Sequence, residues 1–472
     1  MCRSGASVYC NVSRDYRNSQ ATMGFDSQWP KIWNQNSGLF VVERVTCKTV
    51  FIDAQIQLMK SYVHEDEESW RSFVQRTFFA PIAEFHRRCD TVIVCFDNYQ
   101  NVPIFKSIEQ SKRLSTAAAS TNTFRFKAGD VLPSRPYEQH IWVQALQNRT
   151  FKSNIISLIT SMIAADYVPP RRATTLVVDF VNSTRIDYHT QGKTRVVLEN
   201  MKPMGESDVK FMRYVPLFGD LIVDSIDSDV LLIAALFVSR NSSKNNIYVR
   251  RYKTRVVLPE SLKRKLPTHE PEKKRLEYEI IHVNRLMDRL HTHIHTAVER
   301  AAFLTLPAVL DPPTPAYLTA ILSFIVLLCG CDYSKKLPRI GAKTLWDSVD
   351  EIVPAILACT SYSNNVFVVD TKVSIDGLIA SLYARTYTRH VRLNSAGGSA
   401  LADNMDTVLA MLHASSLSDK TKQDLPTRVS LCTTLRNIEW VINYWAIENG
   451  DPACPVDGTH GFRVVDGKVV FT

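Results

Sequence analysis

Four short apolar runs decide what this chain can fold into. "KTVFID" (48–53), "TVIVCFD" (91–97), "TTLVVDFV" (174–181) and "DLIVDSID" (220–227) have the length and β-branched content of buried parallel strands. Stretches of helical character separate them, such as "AQIQLMKSYV", "ESWRSFVQRTFFAPIAEFHRR" and "NIISLITSMIAADY". Strands alternating with helices predict an α/β fold with a parallel sheet. Beyond residue 275 the pattern changes to helices, in "VNRLMDRLHTHIHTAVERAAF", "AYLTAILSFIVLLCG", "AKTLWDSVDEIVPAIL" and "LRNIEWVINYWAI". A chain of 472 residues has room for both parts.

Three of the four runs reach an aspartate: Asp53, Asp97 and Asp227. One such residue is usually a turn former or a helix cap. Three are harder to dismiss, because open parallel sheets bind ligands beyond the carboxyl ends of their strands. Neighbouring strands would bring the carboxylates close, and their repulsion calls for a cation. Two acidic pairs add to the set. Glu206 and Asp208 stand in "MGESDVKFMRYV", where the helix dipole offers a plain alternative reason for acids. Asp227 and Asp229 stand in "SIDSDVLLIAAL", at a strand–helix junction. Asp332 follows a buried helix in "LLCGCDYSKKLPRIGAK" and makes seven junction carboxylates. Oxygen-only ligands suit Mg²⁺ or Mn²⁺ rather than zinc, and two such ions serve phosphodiester hydrolysis.

Charge points the same way. From Arg240 to Arg275 there are twelve Lys/Arg against three Glu, a surplus equal to the whole net charge of +9. Such a segment predicts a polyanionic partner, nucleic acid first, with a solvated insertion as the alternative. The triplet Lys263, Arg264 and Lys265 is its densest part, and it doubles as a candidate nuclear-import signal. No apolar run has the length of a membrane span, and the first residues lack a signal-peptide core, so an intracellular, nuclear protein is expected. Ten cysteines without CxxC pairs read as reduced thiols. His291, His293 and His295 read as a helix face, Cys329 and Cys331 as packing, and the aromatic residues of "IEWVINYWAI" as core.

The order of motifs resembles the flap endonuclease superfamily of structure-specific 5′ nucleases, which includes the xeroderma-group excision nuclease. "VFIDAQ" looks like the family's first metal strand and "VCFDN" like its second; "GESDV" and "SIDSDVL" match its paired acidic motifs. "GCDYSKKLPRIGAK" is similar to the start of its helix-two-turn-helix module, and "FKSIEQSKR" (105–113) to the helix that begins its arch. The resemblance implies a PIN-like parallel sheet flanked by helices and followed by a helical region. It implies two Mg²⁺ ions, replaceable by Mn²⁺, on Asp53, Asp97, Glu206, Asp208, Asp227, Asp229 and Asp332. It implies that Lys106 and Arg113, which share a helix face, are the cations on the scissile phosphate. Gly24, Lys335, Lys336, Arg339, Gly341 and Lys343 would meet nucleic acid, as would Lys263–Lys265 of the basic segment. In the family the two-turn module often holds K⁺; here Arg339 stands where its first glycine is usual.

The implied activity is hydrolysis of branched or 5′-ended nucleic acid, DNA ahead of RNA, by a monomer with no sliding-clamp peptide. "GESDVKFM" is also similar to 5′→3′ exoribonucleases, and herpesvirus host-shutoff ribonucleases share the fold, so an mRNA-degrading enzyme is the alternative. A decayed, inactive nucleic-acid-binding scaffold is the second. The expected organisation is an N-terminal extension over 1–22 and a nuclease core over 23–239, with an arch-like region at about 105–165. A basic insertion over 240–275 follows, then a helical domain over 276–420 with its module near 320–350, then a C-terminal helix and tail over 421–472.

Overall fold

The structure is a computed structural model. It describes residues 41–42, 45–61, 69–98, 132–136, 141–142, 145–146, 148–198, 204–225, 227, 229–241, 245–252, 278–305, 313–331, 337, 340–341, 345, 348–370, 378, 382–383, 405–423, 425–446, 462–465 and 468–471. In chain order the elements are β1 (Val41–Val42), β2 (Thr49–Asp53) and α1 (Ala54–Lys60). Helix α2 follows as Trp70–Val74, a π-helical turn Gln75–Phe79 and Ala80–His86. Then come β3 (Thr91–Cys95), α3 (Arg149–Asp166), β4 (Thr174–Asp179), β5 (Ser183–His189) and β6 (Gly192–Val197). The short α4 (Ser207–Lys210) runs through a 3-10 turn (Phe211–Tyr214) into α5 (Val215–Phe218), β7 (Leu221–Asp224) and α6 (Asp229–Arg240). Strands β8 (Ile247–Tyr252) and β9 (Tyr278–His282) lead to α7 (Val283–Thr305), α8 (Pro315–Leu327) and α9 (Val349–Cys359). Two hairpins, β10 (Thr360–Ser363) with β11 (Val366–Val369) and β12 (Phe462–Val465) with β13 (Lys468–Phe471), bracket α10 (Met405–Ala414), α11 (Asp419–Gln423) and α12 (Arg428–Tyr444).

A nine-stranded sheet in the order β1-β9-β8-β7-β2-β3-β4-β5-β6 forms the middle layer. Strands β8, β7, β2, β3 and β4 are mutually parallel, and β5, β6, β9 and β1 add antiparallel edges. The chain leaves β2 toward β3 and β4 and returns to β7 on β2's other side. The strand order therefore reverses between β2 and β7, and such a switch opens a crevice beyond the strand ends.

Side chains alternate across the sheet. Val50, Ile52, Val92, Val94, Leu176 and Val178 pack on the face covered by α1, α2 and α3. Phe51, Ile93, Cys95, Val177 and Val223 pack on the other, with α6, α7, α8, α9 and α12. The helices after residue 282 thus share one continuous core with a face of the sheet. Short-range signals set their starts: Asn148, Thr314 and Thr427 each accept a backbone N–H at an N-terminus, and Pro315 opens α8 where its missing N–H costs nothing. Trp440, Tyr444 and Trp445 are buried, as the aromatic spacing predicts, and Cys331 is buried too. His291 is held by Thr319 Oγ1 at 2.8 Å.

The four apolar runs form β2, β3, β4 and β7, but two strands stop short of the expected aspartates. β3 ends at Cys95 and β7 at Asp224, which leaves Asp97 and Asp227 in the loops beyond. Each carboxylate there holds a backbone N–H, Asp97 that of Ser207 and Asp227 that of Asp229, and so shapes a turn instead of continuing a ladder. The basic segment also differs from its reading by composition. Its residues 247–252 are strand β8, inside the sheet. Arg250 pairs with Asp224 at 3.0 Å and lies over the Tyr278 ring, while Arg251 pairs with Glu279 at 2.7 Å. A formal charge count cannot see these partners, so two of the twelve cations belong to the fold.

Candidate active site

Asp53 ends β2 and immediately precedes α1, the place of a helix cap, yet its side chain makes no capping hydrogen bond. The carboxylate is instead turned into the crevice. Its Oδ1 lies 2.8 Å from Ser207 Oγ and its Oδ2 3.2 Å from Ser225 Oγ. Ser207 Oγ lies in addition 3.0 Å from Asp97 Oδ1, and the Ser207 N–H donates to that same oxygen at 2.9 Å. A single serine thus joins the ends of β2 and β3. The Asn98 N–H donates to Gly205 O at 2.6 Å and binds the two loops backbone to backbone.

Glu206 and Asp208 flank Ser207, and both are buried. Glu206 occupies the N-cap position of α4 but makes no capping hydrogen bond either. Asp227, exposed, accepts the Asp229 N–H at 3.0 Å, and Asp229 begins α6. For Asp227 the turn-forming role is therefore real. The set runs from a buried floor at Asp53 to a solvent-facing rim at Asp227.

The electrostatics show that these groups converge. Burial raises the Asp53 carboxyl most, Asp97 adds to it, Ser207 pulls it down, and Asp208 and Asp227 raise it again, together to about 8. Ser207 Oγ has one hydrogen for two carboxylate oxygens, which it shares between Asp53 and Asp97 or gives to one while the other carboxyl supplies a proton. Among the described residues, no three His, Cys, Asp or Glu side chains stand in an arrangement that would close on a metal ion. The donor chemistry nevertheless fits a hard divalent cation: the converging side chains are all carboxylates.

A second cluster lies beside the first. Asp179 ends β4, and its Cα is in register with Cys95, which is in register with Asp53. Asp179 is also buried, but Lys210 Nζ donates to its Oδ1 at 3.1 Å, Arg213 pairs with its Oδ2, and Tyr214 OH donates to Oδ2 at 2.6 Å. Burial alone would raise its pKa; Lys210 and Arg213 outweigh that and hold it below the usual carboxylate range. Ser207, Ser225, Asp179, Lys210, Arg213 and Tyr214 were not singled out by sequence. Serines carry no signal of their own, and Asp179 sits inside the run "TTLVVDFV", where it reads as strand interior.

Of the remaining candidates, Gly24, Lys106, Arg113, Lys263, Arg264, Lys265, Asp332, Lys335, Lys336, Arg339 and Lys343 lie outside the described residues. The helix-two-turn segment is described in part. α8 ends at Leu327, Gly330 follows with a φ of 89° that favours glycine, and the Leu337 N–H donates to Leu328 O at 3.0 Å. Gly341 is exposed, its carbonyl accepts the Leu345 N–H, and a Cβ built there would meet nothing within 4 Å. Among the described residues no helix is long and apolar enough to cross a membrane.

No family model matches the chain, and no curated protein matches it. Solved structures similar to it include "The catalytic core of Rad2 in complex with DNA substrate (complex III)", at a TM-score of 0.33 and 14% identity, covering 68% of each chain. Complex II of the same protein gives 0.33 and 13%, covering 69% of this chain and 68% of that one. At such values the likeness adds nothing to what the site itself tells.

Proposed function

We propose that this chain is a metal-dependent nuclease of the flap endonuclease superfamily, acting on branched or 5′-ended nucleic acid. The observation that carries the reading is Asp53, a buried strand-end carboxyl with Asp97, Asp208 and Asp227 around it and a pKa pushed up to about 8. Asp53, Asp97, Glu206, Asp208, Asp227 and Asp229, with Asp332 from the helical region, would hold two Mg²⁺ or Mn²⁺ ions. Bound there, the ions would activate a water and stabilise the leaving oxygen of a phosphodiester.

The chain's own residues have distinct tasks in this scheme. Ser207 keeps Asp53 and Asp97 together through its hydroxyl. Asp227 fixes the first turn of α6 through the Asp229 N–H. Lys106 and Arg113 would neutralise the scissile phosphate. Lys335, Lys336, Arg339, Gly341 and Lys343 would grip duplex backbone, and Lys263, Arg264 and Lys265 would add affinity without sequence preference.

Cleavage of a 5′-flap DNA and of a single-stranded RNA of equal length, each with Mg²⁺, tests the reading. Preferential cutting of the flap supports it, and preferential cutting of RNA makes the chain a ribonuclease of the same fold. Tight DNA binding with no cleavage in Mg²⁺ or Mn²⁺ would leave only a scaffold.

A further inference from the structure

We propose that Lys210 is a positioning residue that sets the acidic site, an inference that rests on the metal-dependent reading above. Lys210 is fully buried, and its ammonium is spent on three oxygens. It donates to Phe96 O at 2.7 Å, to Asp179 Oδ1 at 3.1 Å and to Phe180 O at 3.2 Å. Phe96 is the residue before Asp97, and Asp179 and Phe180 close β4. Lys210 is itself two residues after Asp208, in the four-residue helix that Glu206 precedes. One side chain therefore fastens the segment carrying Glu206, Ser207 and Asp208 to the backbone that presents Asp97, and anchors both on the sheet.

A buried ammonium is costly without an opposite charge beside it, and Asp179 is that charge. Arg213 and Tyr214, one turn further on, reach the same carboxylate, and Ser183 Oγ lies 3.1 Å from each of them. Arg213 thus shares the anchor Asp179, while the contact to Phe96 O is made by Lys210. That difference gives each cation its own prediction. Charge alone would make either one hinder cation binding nearby, so losing either would tighten it. A positioning role predicts the opposite for Lys210.

The test is Mn²⁺ titration of the chelator-treated full chain by calorimetry, with circular dichroism and unfolding temperature recorded alongside. Lys210→Met should bind Mn²⁺ about tenfold to hundredfold more weakly, the loss typical of residues that orient metal ligands. Arg213→Met removes the same charge from the same carboxylate, and should lower the unfolding temperature while keeping Mn²⁺ affinity at or above that of wild type. Should Lys210→Met fail to fold, Asp179→Asn decides: affinity lowered about threefold or more supports the role, and unchanged affinity overturns it. Wild-type affinity or tighter in a folded Lys210→Met protein overturns it, as does an equal loss in both cation variants. A wild-type chain that binds no Mn²⁺ overturns the metal reading itself, and the positioning role with it.

Discussion

Asp53 and Asp179 end neighbouring parts of the same sheet edge, on the same face, with only Cys95 between them in register. Both are buried, and strand spacing puts their backbones roughly 10 Å apart. Their surroundings differ completely. Asp179 receives two cations and a phenol from the chain and stays ionised. Asp53 receives two serines and faces other carboxylates, and burial together with those carboxylates pushes its pKa up to about 8. The fold can supply cations at this edge and does so one position away. Asp53 meets serines and carboxylates among the described residues, a setting that suits a charge from outside. His86 shows a third answer to burial at the opposite edge of the sheet. It is fully buried against Tyr167 OH at 2.8 Å and Thr175 O at 3.1 Å, and it stays neutral, its pKa lowered by burial to about 4.

Removing the paired carboxylate should have the largest effect. Asp179→Ala strands Lys210 and Arg213 in the core, and should cost about 3–5 kcal/mol in urea unfolding. A loss under about 1 kcal/mol would mean that water reaches the pair and that Asp179 is no better placed than Asp53.

Asp53→Asn should move stability the other way in metal-free protein. A carboxyl whose folded pKa is raised loses stability as pH climbs from the unfolded value of 3.8 toward 8. The variant's advantage over wild type should therefore grow across that range and level off above it, reaching about 1–3 kcal/mol once relaxation is allowed for. Added Mn²⁺ should stabilise wild type and leave the variant unmoved. A variant less stable than wild type at pH 8 without metal would return Asp53 to an ordinary structural role.

The His86 contribution has the opposite pH sign. Its folded pKa lies below the unfolded value of 6.5, so the unfolded chain takes up the proton first and stability is lost as pH falls from 6.5 toward 4. His86→Gln should flatten the acid side of the stability curve, removing a dependence worth about 2–3 kcal/mol. Identical acid slopes in the two proteins would mean that His86 is not neutral in the fold.

The smallest change is expected at Asp224. It too ends a strand, three residues before Asp227, but alternation turns it to the opposite face, where Arg250 holds it. Asp224→Asn should leave Mn²⁺ affinity within about twofold of wild type. A large loss would mean that proximity along the chain, not the face of the sheet, defines the site.

The sequence exposed the parts of this arrangement that carry regular patterns. Runs of Val, Ile and Phe revealed β2, β3, β4 and β7, because strands buried on both faces admit little else. β6 escaped because "GKTRVV" is exposed along its whole length and alternates nothing. β8 escaped because Arg250 and Arg251 read as solvated charge, when Asp224 and Glu279 across the sheet neutralise them. The acids at Asp53, Asp97, Glu206, Asp208 and Asp227 stood out by chemistry and junction position. What binds them into one site, Ser207 above all, depends on contacts between residues far apart in the chain. Cys95 and Asp179 illustrate the same limit: only register shows that one separates two aspartates and that the other answers Lys210.

The pairing of the first strand with the ninth has a cost during synthesis. Val41 lies opposite Ile281, and β9 also completes the edge of β8. Until residue 282 has left the ribosome, β8 presents an open row of N–H and C=O groups, and the sheet face that α7, α8, α9 and α12 will cover stays bare. Closing contacts over so long a loop is slow, and exposed edges meanwhile invite pairing with other chains. A nascent chain of this design must therefore be sheltered through most of its translation, and fragments cut before β9 should aggregate rather than fold.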